Sequence, residues 1–264
     1  MSSKSFRFLS LGFSFLLLAA CQNGSKDRAP FASTDTNTSA ANTSDPNLET
    51  TLRKAAADAE ATYSYAEAAQ HYAMLLEKHP DDQDIVLAVA RNLRYSGSPQ
   101  QAVVVISKQI SKFGPKEPLL VELGKDYLAS DQLNLAIPAL QQARDTDPSN
   151  WQILSALGVA QDYQGNYKDA QATYQSGLKL SPNNPILLNN YALSLAQSGQ
   201  LETAVTILQT ATGQPSSTAQ TRQNLALLLA LKGDTDSAAR LIRSDLPPDM
   251  AQNNISYYKG MTAP

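Results

Sequence analysis

The side chains of this chain that could do covalent or metal chemistry are few, and their spacing does not assemble them. There are two histidines, His71 and His79. Neither has a second histidine four residues away, the spacing that places two ligands on one helix face. Both read as solvated residues near a helix end. Asp81, Asp82 and Asp84 cluster at a loop-to-helix junction, where carboxylates favour the positive end of the helix dipole. The glycine and the later acidic ligand of a calcium-binding loop are missing. No glycine-rich phosphate loop and no nucleophile elbow occurs, and Trp151 reads as a packing residue. The sequence therefore predicts a protein that is not an enzyme, with no catalytic residue, no metal and no cofactor.

What remains is recognition chemistry. Arg91, Arg94, Tyr95, Lys125, Tyr163, Asn189, Asn190, Gln223 and Asn224 supply cations, phenols and amides. Such groups hydrogen-bond the backbone or carboxylates of a bound peptide, and tyrosine adds apolar contact. They can act together only if the chain places them along one surface. The same residues would equally serve as a solvated helix face.

The positioning elements are written in a 34-residue period. Alanine recurs at Ala68, Ala102, Ala136, Ala170, Ala204 and Ala238. A second series of small residues runs in phase at Ala56, Ala90, Gly124, Gly158, Ala192 and Ala226. A third series is bulky, at Tyr72, Ile106, Leu140, Tyr174, Leu208 and Ile242. Such a period marks stacked helical hairpins. The small residues let the two helices of a hairpin approach closely, and the bulky ones fill the space between one hairpin and the next. Gly97, Gly165, Gly199 and Gly233 share the phase of the intra-hairpin turn, where a left-handed backbone is cheapest for glycine. Tyr63 and Asp131 stand in that slot in two copies. Ser98-Pro99 reads as an N-cap and first-turn proline, Pro118 and Pro185 mark other helix starts, and Pro138 falls just inside a helix.

The segment from Leu154 to Pro182 resembles the tetratricopeptide repeat, through Leu157-Gly158, Gly165-Asn166-Tyr167, Ala170, Tyr174 and Pro182. The resemblance implies an all-α, right-handed solenoid of about six hairpins over 48–252. A C-terminal capping helix and tail would follow over 253–264, with Asp249 as the helix cap. It also implies that the first helix of each hairpin lines a concave, peptide-binding groove that carries the nine residues named above. The carboxylate-clamp pattern of chaperone-binding members is not matched, so that ligand class is not expected.

The N-terminal segment has the layout of an export signal over 1–20: a basic start at Lys4 and Arg7, then an apolar run from Phe8 to Leu18 that is shorter than a membrane span. Its end, Leu18-Ala19-Ala20-Cys21, resembles the lipobox of bacterial lipoproteins, and Cys21 is the chain's one cysteine. The resemblance implies lipidation of Cys21 and a membrane anchor, and Gln22 in place of aspartate points to an outer-membrane lipoprotein facing the periplasm. Acyl chains stabilise the anchored state by about 0.8 kcal/mol per buried methylene. Residues 21–47 are rich in Ser, Thr, Asn, Asp and Ala and read as a polar tether. With a single cysteine no disulfide framework can form. The precursor carries 21 basic and 24 acidic residues, which argues against a nucleic-acid partner.

The whole layout is similar to the TadD-like tetratricopeptide-repeat lipoproteins of tight-adherence (Flp) pilus assembly. The similarity is most specific in Arg222-Gln223-Asn224-Leu225-Ala226 and in Asp245-Leu246-Pro247-Pro248 followed by Asn253-Asn254-Ile255-Ser256-Tyr257-Tyr258. It implies a non-enzymatic, pilotin-like assembly factor whose partners are proteins of a pilus or secretion apparatus, an outer-membrane secretin among them. The alternative is a general envelope adaptor for peptidoglycan enzymes or β-barrel assembly.

Overall fold

The structure is a computed structural model that describes residues 46–262. The export signal, Cys21 and nearly all of the tether lie outside the described residues. Thirteen α-helices and no strand occur among those residues. They pair as α1 (Pro46–Ala61) with α2 (Tyr65–Lys78), α3 (Gln83–Tyr95) with α4 (Pro99–Phe113), and α5 (Glu117–Ala129) with α6 (Leu133–Thr146). The series continues as α7 (Trp151–Tyr163) with α8 (Tyr167–Leu180), α9 (Pro185–Gln197) with α10 (Leu201–Thr212), and α11 (Ala219–Lys232) with α12 (Thr235–Asp245). Six hairpins are followed by a single helix, α13 (Pro248–Thr262), so the all-helical solenoid expected from the period is the fold observed.

Every helix packs on the next, and from α3 onward the first helices also pack on one another: α3 on α5, α5 on α7, α7 on α9, α9 on α11. No such packing joins consecutive second helices among the described residues. Closer approach on one side is what curvature requires, so the first helices line the inner face and the second helices the outer one.

The three repeat series form the seams. All six alanines of the first series are fully buried. A Cβ built on Gly158 would overlap the Tyr174 ring, and one on Gly124 would overlap Leu140. The bulky residue therefore seats on the small residue of its own hairpin, in addition to filling the space toward the next one as expected. Tyr174 does both, since it also packs with Leu187 of the next hairpin.

The turn slot behaves as its phase predicts. Gly97, Gly165, Gly199 and Gly233 have φ of 83°, 81°, 89° and 99°, and Tyr63 and Asp131 adopt the same left-handed region at 59°. A non-glycine residue there costs about 1–3 kcal/mol. Asp82, Asn150, Asn184, Thr218 and Asp234 cap their helices by accepting from backbone N–H groups. Ser98 occupies the N-cap of α4 ahead of Pro99, but its hydroxyl makes no capping bond. Helix α6 continues through Pro138.

The C-terminal helix begins earlier than expected. It starts at Pro248, so residue 253 lies within it, and Asp249 sits in its first turn rather than at the cap. It packs on α12 and α11, burying Ala251, Ile255 and Tyr258 in the terminal core, while Tyr257 points outward at 58 % exposure. Ile255 continues the buried series Ile85, Leu119, Ile153, Leu187 and Thr221, each one repeat apart. Gly260 falls in the small-residue series, yet a Cβ there would meet nothing. Helix α13 is thus the first helix of a seventh repeat, with no second helix packed on it among the described residues.

Candidate interaction surface

The inner face divides into two neighbourhoods. The first spans α3 and α5 and is charged. Arg91 and Lys125 occupy equivalent positions one repeat apart on these packed helices. Arg91 is exposed. Lys125 is partly covered, and its ammonium lies 3.8 Å from a Glu122 oxygen. Burial lowers the Lys125 pKa, opposed by Glu122 and assisted by the charges of Arg94 and Arg91.

Arg94 does not belong to that exposed set. Its side chain is 12 % exposed, and Nη1 donates to Glu122 at 2.5 Å and to Asp126 at 2.6 Å. Both acceptors are buried. The expectation of Arg94 as a groove residue is therefore corrected: the guanidinium is consumed in tying α3 to α5. Burial drives the Asp126 carboxyl up to about 7, against the lowering effect of Arg94. Tyr95 ends α3 at the turn edge, 54 % exposed, with the Arg94 guanidinium 5.1 Å from its ring centroid.

The second neighbourhood spans α7, α9 and α11 and is neutral. Asn190 donates to Ser155 at 3.2 Å, Asn189 donates to Asn190 at 3.3 Å, and Asn224 donates to Asn189 at 2.9 Å. Three of the predicted amides, on α9 and α11, thus form one chain that ends on Ser155 of α7. Gln223 is half-buried beside Asn224. Tyr163 ends α7 at 48 % exposure, in the position Tyr95 has two repeats earlier, with its phenol pKa raised by burial.

Beneath these surfaces lies a seam device that sequence reading did not identify. Asp162 accepts from Tyr174 of its own hairpin at 2.8 Å and from Ser194 of the next first helix at 2.5 Å. Three repeats earlier, Glu60 accepts from Tyr72 at 3.4 Å and from Asn92 at 2.6 Å. The Arg94–Asp126 pair occupies the same two phases with the polarity reversed. Burial raises Asp162 to about 6, opposed by its two hydrogen bonds, and raises the Tyr174 phenol. A signal was present: an acid twelve residues before a tyrosine, in the same phase in two copies.

Among the described residues no group of three or more His, Cys, Asp or Glu side chains could hold a metal ion, and no helix is long and apolar enough to cross a membrane. His79 bonds Glu49 at 3.0 Å, whereas His71 sits mid-helix, 3.7 Å from Glu67.

Two families described as Tetratricopeptide repeat match residues 121–185 and 163–220. The chain carries tetratricopeptide repeats. These are interaction repeats, typically non-catalytic, and the matching families are not enzyme families. The chain is 29 % identical over 187 residues to cellulose synthase operon protein C of Pseudomonas fluorescens, covering 67 % of this chain and 14 % of that protein. It therefore spans about a seventh of that relative. A thermophilic tetratricopeptide protein of Thermus thermophilus superposes with a TM-score of 0.58 at 17 % identity, over 66 % of this chain and 96 % of the other. Within the APC/C hetero-tetramer Cut9–Hcn1, a chain superposes with a TM-score of 0.65 at 15 % identity, over 81 % of this chain and 44 % of the other. At such identities the structural likeness shows the fold alone.

Proposed function

We propose that this protein is an outer-membrane lipoprotein scaffold of tight-adherence (Flp) pilus assembly, pilotin-like in role. Its partner is a secretin or another subunit of the pilus apparatus. Cys21 supplies the lipid anchor, residues 22–45 the tether, since α1 already begins at Pro46, and the concave face the grip. The observation that carries the grip is the inner-face path, on which Arg91 and Lys125 lie one repeat apart on packed helices, followed by the amide chain Asn190–Asn189–Asn224. Cations and amides in that order suit the backbone and side-chain oxygens of an extended or helical peptide. The tail motifs of the family resemblance also meet physically: Arg222 on α11 makes a bidentate pair with Asp245, just before the Pro247-Pro248 turn, with Nε 2.9 Å from both oxygens. That tie joins α11 to the last residue of α12, three residues before α13 begins.

A second reading is a general envelope adaptor for peptidoglycan enzymes or β-barrel assembly. The match to cellulose synthase operon protein C over 67 % of this chain favours it, since a shared repeat array serves unrelated client machines. Crosslinking in the envelope, followed by purification of this protein and mass spectrometry, separates the two. The pilus reading expects a secretin or pilus subunit in the adduct, lost in a Cys21→Ser variant that no longer fractionates with membranes. Adducts made only of peptidoglycan enzymes or β-barrel assembly proteins contradict it.

A further inference from the structure

The turn edge of the first two hairpins carries a feature that neither the seams nor the groove explains. Tyr63 stands in the left-handed slot that glycine fills in four other repeats. Its side chain is 78 % exposed, so burial does not offset the backbone strain. A strained residue that contributes little to packing points toward function. Its ring is edge-on to Tyr65, with centroids 6.2 Å apart and planes at 79°, and Tyr65 lies 5.0 Å from Tyr95 at 50°. The three rings, with Ser64, Glu67 and Ser96, line an open cavity of about 390 Å³. Tyr95 is held from behind by Arg94, itself fixed by two buried carboxylates, so this wall is preorganised.

We propose that this cavity is a binding site for a proline-rich protein segment in the polyproline II form, with a basic residue beside it. Rings set at steep angles to one another make ridges and notches, which accept pyrrolidine rings, rather than a flat platform for a sugar. None of the three phenol groups bonds another described residue, which leaves them to donate to peptide carbonyls. A polyproline II segment has no internal hydrogen bonds and little conformational entropy to lose, and aromatic-lined grooves recognise it on that basis. Glu67 is the cavity's one acidic residue, 63 % exposed at its side chain, and it selects for a flanking Lys or Arg. The site lies at the turn edge; Arg91, one turn before Tyr95 on α3, is not among its lining residues.

The test is fluorescence anisotropy of a labelled oligoproline peptide ending in arginine, titrated with the full chain. The wild type binds saturably. Tyr63→Gly weakens binding about tenfold or more, while its melting temperature stays the same or rises, because glycine relieves the left-handed backbone. A purely structural tyrosine would give the opposite pairing. Glu67→Gln weakens the arginine-ended peptide and leaves plain oligoproline unchanged. Gln223→Ala, on α11 of the inner face, leaves both peptides unchanged, which separates this site from the groove. No saturable binding to the wild type, equal affinity in Tyr63→Gly, or displacement of the peptide by a soluble cello-oligosaccharide overturns the proposal.

Discussion

The seam between α3 and α5 and the seam between α7 and α9 solve one geometric problem with opposite chemistry. Both link the end of one first helix to the next, at corresponding phases of the repeat. The earlier seam uses a buried cation between two carboxylates, Arg94 with Glu122 and Asp126. The later one uses a single carboxyl that accepts from two neutral hydroxyls, on Tyr174 and Ser194. Elsewhere the same phases hold apolar residues, as at Leu128, Leu140 and Ala160. The difference teaches that the repeat fixes the backbone and leaves the seam chemistry free. The inner face differs alongside: cations near the Arg94 seam, amides near the Asp162 seam.

The largest expected effect breaks the earlier seam. Arg94→Ala strands two buried carboxylates, a change that costs about 3–5 kcal/mol; chemical denaturation should show it, and a loss below 1 kcal/mol would mean the guanidinium is not buried as described. Gly158→Ala drives a Cβ into the Tyr174 ring at the other seam and should cost about 1–3 kcal/mol, read as a lower melting temperature. Tyr174→Phe removes one donor from Asp162 and should cost about 1–2 kcal/mol.

The pH dependence sharpens the contrast further. Asp162 and Asp126 have folded pKa values of about 6 and about 7, above the usual carboxylate range. The folded state therefore holds more protons than the unfolded state between about pH 4 and pH 7. Their contribution to stability is fully present below the unfolded pKa and is lost as pH rises through the folded value. Asp162→Asn should flatten the fall in stability between about pH 4 and pH 6, measured by denaturation at each pH. An unchanged slope would mean that Asp162 is ionised throughout. The smallest effect is expected at the surface: Arg91→Glu, at an exposed position, should shift stability by no more than about 0.5 kcal/mol while weakening partner capture.

The fold was legible because three residue series share one period, and each reports a different contact. The turn slot was legible even at Tyr63 and Asp131, since phase alone placed them. The site was legible in part. Asn189, Asn190 and Asn224 come together as their helix face implied, and Arg91 and Lys125 fall one repeat apart on packed helices because they are equivalent positions. Arg94 was misread, because helical phase tells which way a residue faces but not that acids on the next repeat will capture it. The start of α13 was set too late because its Ile255 belongs to the repeat series, whereas its first turn, built from Pro248 and Asp249, does not.

The central claim is that the inner face grips a client polypeptide. A photo-crosslinking residue placed singly at Lys125 or Gln223 on that face, or at Ala172 on outward-facing α8, tests it directly in the envelope. The account predicts adducts with a secretin or another pilus subunit from the two inner positions and none from Ala172. Adducts confined to Ala172 would contradict it.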